Sequence, residues 1–299
     1  MTVARPANRV FLVILLLSLG SSCIMPTGSR SGSASPPLLP TAPVCYAVIF
    51  TSSDWRTGGN AVLDPIDRNA GWIQTVRIYR HLLRLGYEAR NISVFYLDAQ
   101  PDYEDAGAGD IPESLRRMLD RRLAAASTKA NLHAALRQLA LRMRPQDHVV
   151  VHLSMHGRKG AWLESDTGET IRPRELRRML KPLAPRQRLL IVDACHSEAI
   201  IERLDLPGTS IATARADELG WLERNFSFGE FFFAEFVDCL DPGRPDRVEA
   251  AWSAAAVRYG KAADWQYLKT RYGGEGLPEA TIELLTFEPV LRQESLPAF

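Results

Sequence analysis

Two short segments carry residue types that could do chemistry together. Ser154-Met155-His156-Gly157 follows the apolar run Val149 to Leu153, and Asp193-Ala194-Cys195-His196-Ser197 follows the apolar run Leu189 to Val192. A cysteine where a strand gives way to a helix lies near helix amides whose partial positive charge favours the thiolate, and a histidine beside it can take up and return the proton. Nucleophilic catalysis requires that pairing. Gly157 has a separate use, because a residue without a side chain lets a backbone amide approach a carbonyl oxygen. Its amide and that of Cys195 could together form an oxyanion hole. Taken singly the pieces are weak. A cysteine after a strand is commonly a small buried hydrophobe, and His-Gly commonly closes a turn.

The elements that must position these residues follow from the pattern around them. Val44 to Thr51 is a short apolar run, and Trp72, Val76, Tyr79 and Leu83 recur at helical spacing until Gly86. Ile92 to Leu97 is a second strand. Thr128 caps a helix with Leu132, Leu136, Leu139 and Met143 on one face, ended by Pro145. Val149 to Leu153 and Leu189 to Val192 are further strands, separated by a helix beginning near Pro173. Ser210 to Thr213 is a weaker fifth. Phe231 to Leu240 and Val248 to Tyr259 read as helices, and Ile282 to Phe287 as a last strand. Strands alternating with helices predict a mostly parallel sheet covered on both faces, with function gathered at the carboxyl ends of the strands. Asp98 to Ser114, with Asp102, Glu104, Asp105 and Asp110, reads as a long exposed acidic loop that lacks the spacing of a calcium loop.

The 299 residues are 46% hydrophobic and 24% charged, which suits one main domain with a sizeable core. A net charge of +1, well mixed along the chain, gives no reason to expect a nucleic-acid partner. The amino terminus differs in kind. Arg5 and Arg9 precede the apolar run Val10 to Leu17, and Gly20, Ser21 and Ser22 lead to Cys23, the pattern of an export signal. Cys23 resembles a lipidation site, with Leu19 one place further away than usual; cleavage without lipidation is the alternative. The expected division is a signal peptide over 1–22, a Ser/Pro/Gly-rich tether over 23–43 and the folded domain over 44–299. The expected location is the bacterial envelope, lipid-anchored or periplasmic. Four cysteines are too few for a disulfide scaffold, and Cys45 and Cys239 remain either as a pair or as two buried thiols.

The pair of motifs, Leu153-Ser154-Met155-His156-Gly157 and Ile191-Val192-Asp193-Ala194-Cys195-His196-Ser197, is similar to that of caspase-like cysteine peptidases. Lys129-Ala130-Asn131-Leu132 through Pro145-Gln146-Asp147, and Thr213 to Glu218, resemble metacaspases and their bacterial relatives. Ala47 to Leu97 looks more like the branch of legumain and glycosylphosphatidylinositol transamidase. The resemblance implies a three-layer α/β/α sandwich and a peptide-bond hydrolase acting on polypeptide substrates. In it Cys195 attacks, His156 protonates the departing amine, and neither metal, cofactor nor a third orienting residue is required. Asp193 matches a position that lines the substrate pocket of metacaspases and favours Arg or Lys; a carboxylate capping the next helix is the structural alternative. Asp67 or Arg68 lies near the place the legumain branch uses for its pocket. Glu198 stands where relatives commonly have glycine. A catalytically silent binding scaffold and a transpeptidase are the competing functions. Zinc held by His148, His152, His156 and Cys195 is disfavoured, since ligands four residues apart on one strand stand about 13 Å apart.

Overall fold

Apolar runs of five to seven residues become the central strands, because both faces of each are covered and no polar alternation is needed. A computed structural model describes residues 42–52, 70–97, 123–183, 188–217, 228–238, 245–262 and 289–293. They comprise β1 (Cys45–Thr51), α1 (Ala70–Arg84), β2 (Ile92–Tyr96), β3 (Leu123–Ala125), α2 (Lys129–Arg142), β4 (His148–Ser154), β5 (His156–Arg158), β6 (Trp162–Glu164), β7 (Thr170–Ile171), α3 (Pro173–Leu180), β8 (Arg188–Asp193), α4 (Ser197–Leu204), β9 (Thr209–Ala212), α5 (Phe228–Asp238), α6 (Pro245–Ala262) and β10 (Val290–Gln293). The acidic segment from Asp98 and the strand expected at Ile282 to Phe287 lie outside the described residues, as do Cys23 and Cys239.

The main sheet has the order β10-β9-β8-β4-β1-β2-β3, parallel throughout except for the antiparallel edge pair β10–β9. Helices cover both faces, so the chain is the three-layer α/β sandwich its pattern predicts. On one face Trp72, Val76 and Tyr79 of α1, Phe231 to Phe233 of α5 and Ala251 of α6 meet Ala47, Ile49, Val150 and Ile191 of the sheet. On the other, Leu132, Leu136 and Leu139 of α2, Leu176 and Leu180 of α3 and Ile200 and Leu204 of α4 meet Val48, Phe50, Val151, Leu153 and Val192. Each such buried side chain contributes about 1.5–3 kcal/mol relative to exposure.

Local signals fix the helix ends. The Thr128 side chain accepts from the Asn131 amide at 3.2 Å and starts α2, while Pro173 opens α3 and Glu175 reaches back to the Arg172 amide at 2.9 Å. Gly86 takes φ +87° just past α1, a conformation that suits glycine.

Strand order reverses between β1 and β4: the chain first builds outward through β2 and β3, then returns to build the other way through β8 and β9. At such a switch point the connections leave in opposite directions and open a crevice at the carboxyl ends of the strands. β4 stops at Ser154. His156 therefore does not continue the strand that carries His148 and His152, and instead begins a separate three-stranded antiparallel sheet, β5-β6-β7, over that edge.

At the opposite edge, Asp147 ties the starts of β1 and β4 together. Its carboxylate accepts from the Val44 amide at 2.9 Å, the Arg144 amide at 2.8 Å and the Arg144 guanidinium at 2.7 Å. Burial opposes its charge, but the hydrogen bonds from Arg144 and from the Arg144 and Val44 amides outweigh burial and hold the carboxyl down to about 2. The folded value lies below the unfolded one near 4, so its contribution is complete above about pH 4 and disappears as the pH falls through about 2. Asp147→Asn is expected to lower stability at neutral pH by about 1–3 kcal/mol. Thermal melts across the acid range should show the gap between variant and parent closing as the pH falls.

Candidate active site

Cys195 lies in the turn between β8 and α4, and its neighbours on both sides are held by hydrogen bonds. The Ala194 amide donates to Thr213 Oγ1 at 3.2 Å. Ser197 Oγ accepts from the Thr213 and Ala214 amides, each at 3.0 Å, and donates to the Ala214 carbonyl at 3.2 Å. The Glu198 amide donates to the same carbonyl, and Glu198 Oε2 accepts from the Ala216 amide at 3.1 Å. His196 takes the left-handed conformation, φ +55°, with Nδ1 3.2 Å from the Ala216 carbonyl. For a residue other than glycine this backbone is unusual, and the surrounding bonds hold it in place. The turn is thus clamped to the segment after β9, with Cys195 half-exposed between the clamped residues. Glu198 thereby pins that clamp.

Gly157 explains why the two motifs occur together. A Cβ built on it would stand 1.6 Å from the Cys195 carbonyl oxygen and 2.9 Å from the Cys195 amide nitrogen. The backbone of β5 therefore packs directly on the Cys195 peptide, with no room for a methyl group. His156 is the residue immediately before that contact. Its Nε2 lies 2.6 Å from Asp166 Oδ1. The Asp166 side chain is only 9% exposed, against 28% for His156.

Arg158, two residues beyond His156, is held on Glu164 by paired contacts of 2.8 Å. That hydrogen bond, chiefly, raises the Arg158 pKa, and Cys195 adds a smaller electrostatic contribution in the same direction. Burial, with Asp147 behind it, pushes the Cys45 thiol up.

Asp193 is buried beneath the sheet edge rather than capping α4. Its Oδ2 accepts from Gln74 Nε2 of α1 at 2.6 Å and stands 3.6 Å from His152 Nε2, beyond hydrogen-bond reach. His152 is fully enclosed, in line with a helix-covered histidine, and neither ring nitrogen has a hydrogen-bond partner among the described residues. Gly229 of α5 packs on it so closely that a Cβ there would lie 2.6 Å from Nε2. Asp67 and Arg68 lie outside the described residues. The structure thus brings His156, Gly157 and Cys195 together and sets Asp193 just beneath them. Gln74, Arg158 and Asp166 are additions that sequence reasoning missed; only Ser165-Asp166-Thr167-Gly168 carried a signal, that of a tight turn.

The model of the Peptidase C13 family matches residues 122–268, just under half of the chain, and the match includes both motifs. No curated protein matches the chain.

Gly157→Ala should push β5 off the Cys195 peptide and lower the rate of Cys195 labelling by a peptide electrophile by about 100-fold, the order expected for a displacement near 1 Å. Labelling at the parent rate would mean that the close approach does not matter.

Proposed function

We propose that the chain is a cysteine peptidase of the caspase-like clan, as its match to the Peptidase C13 family model supports, and that it is an endopeptidase working through Cys195 and His156 with a preference for a basic residue before the scissile bond. The observation that carries the reading is the seat of Gly157 on the Cys195 peptide, which keeps the two motifs at one point of the sheet edge.

In the first half-reaction the Cys195 thiolate attacks the peptide carbonyl carbon, and the carbonyl π electrons move to oxygen. The Gly157 and Cys195 amides receive that oxyanion. As the carbonyl re-forms, the C–N bond breaks and His156 gives its proton to the departing amine, leaving a thioester on Cys195. In the second, His156 takes a proton from water as the water oxygen attacks the thioester. The tetrahedral adduct collapses, the C–S bond breaks, and the acid product leaves with the thiolate restored.

Asp193 is the group that receives a cationic side chain, because a buried carboxylate fixed by Gln74 recognises a cation far better than a neutral residue. Asp67 and Arg68, which lie between β1 and α1 in the sequence and outside the described residues, are the further candidates for substrate recognition. Cys195→Ala and His156→Ala are expected to abolish cleavage of a peptide library with little change in melting temperature. Parent-level cleavage by either variant would end the proposal. On the same library Arg or Lys should dominate before the cut, and Asp193→Asn should lose that preference. A strict preference for Asn or Asp would transfer the role to Arg68.

The reading includes export and anchoring through a diacylglyceryl group on Cys23. Mass analysis of the mature amino terminus decides it, since a free serine or cysteine terminus without lipid would leave only secretion.

A further inference from the structure

We propose that Asp166 is the positioning residue for His156, so that the peptidase site works as a Cys195–His156–Asp166 relay rather than as a bare dyad. The inference rests on the peptidase reading for its catalytic meaning, although its structural part does not.

Among the described residues, two carboxylates come near His156. Glu164 faces it across the β5–β6 pair, but both of its oxygens are engaged by Arg158. Asp166 is the one that meets the ring, at 2.6 Å from Nε2. It is also the better anchored. The turn that carries it is closed by the Gly168 amide on the Ser165 carbonyl at 2.9 Å, by the Glu169 amide on Ser165 Oγ at 3.0 Å and by Ser165 Oγ against Thr167 Oγ1 at 2.8 Å. Gly168 supplies the φ of +79° that this turn needs. The Asp166 amide donates to the Ser52 carbonyl at 3.0 Å, and the Ser52 amide donates to the Ser154 carbonyl at 2.8 Å. Asp166 is therefore fixed to the carboxyl ends of β1 and β4, the edge from which His156 departs.

A carboxylate accepts and never donates when ionised, so its contact with Nε2 places the ring proton there and leaves Nδ1 as the basic nitrogen. That is the tautomer able to take a proton from the nucleophile or from water. Once Nδ1 is protonated, the same carboxylate stands against the imidazolium and stabilises it. An amide in its place would donate to Nε2, drive the proton to Nδ1 and remove the base from the side that faces the reaction.

The test combines kinetics with a measurement that needs no substrate. Asp166→Asn is expected to lower kcat by at least about 100-fold while leaving KM within about twofold and the melting temperature close to the parent's. Parent-like kcat would overturn the proposal. Independently, ¹⁵N-histidine NMR of the full chain carrying Cys195→Ala should show His156, assigned by its loss in a His156→Gln partner, with a strongly deshielded, exchange-protected proton on Nε2. A ring protonated on Nδ1 alone would overturn the proposal even if Asp166→Asn failed to fold. If no peptide is cleaved by the parent but the Nε2 proton is found, the relay stands and the peptidase reading falls.

Discussion

The pairing of β4 with β8 is the constraint on which the site depends. Its register sets Ser154 opposite Asp193, so the two strands end at the same level and the chain leaves each in reach of the other. The next bond across the pair, from the Met155 amide to the Asp193 carbonyl at 3.2 Å, extends the ladder one step past the strands. Only then do the paths separate, β5 folding over the edge and the nucleophile turn entering α4. The contact of Gly157 with Cys195 follows from that level ending. A slip of β8 by one residue would turn Asp193 toward the opposite helical layer and carry the Cys195 peptide away from Gly157.

Around that pairing the polar groups divide by depth. Thr213, Ser197, Glu198 and Ala216 hold the turn that carries Cys195, and the left-handed His196 lies within that clamp. Beneath it, Gln74, His152 and Asp193 form a small polar patch between sheet and helices. It is incompletely bonded, since both His152 nitrogens lack hydrogen-bond partners among the described residues. Native interiors tolerate few such atoms, and they concentrate where function asks for them. Above the edge, Arg158 and Asp166 bring opposite charges to the two reacting residues.

The large features were legible in the sequence because their signals are long and regular. β1, β4 and β8 announce themselves as apolar runs, α2 by Thr128 and the spacing Leu132, Leu136, Leu139, and both reactive residues by their place just after a strand. What was not legible is short. β5, β6 and β7 have two or three residues each, too few for alternation to register, and they hide inside a stretch that reads as turn and loop. His156 therefore looked like the end of a strand shared with His148 and His152, when a break at Met155 separates them. Asp166 was invisible for the same reason, since nothing in Ser-Asp-Thr-Gly says that the turn doubles back over a histidine ten residues earlier. The direction of Asp193 was likewise hidden, because a carboxylate at a strand end can face either helical layer until the register is known.

The small hairpin sheet has a consequence for when the chain becomes reactive. His156 and Asp166 are ten residues apart and meet through local turns, a contact whose loop-closure entropy is small. Cys195 joins them only when β8 completes a parallel pairing with β4, which must wait for the helical crossover between them and is intrinsically slow. The His156–Asp166 pair can thus form early, whereas Cys195 stays apart until the sheet closes. A chain whose sheet has not yet closed therefore holds Cys195 apart from His156 and Asp166, so the juxtaposition of the two motifs is a property of the completed fold and not of either segment.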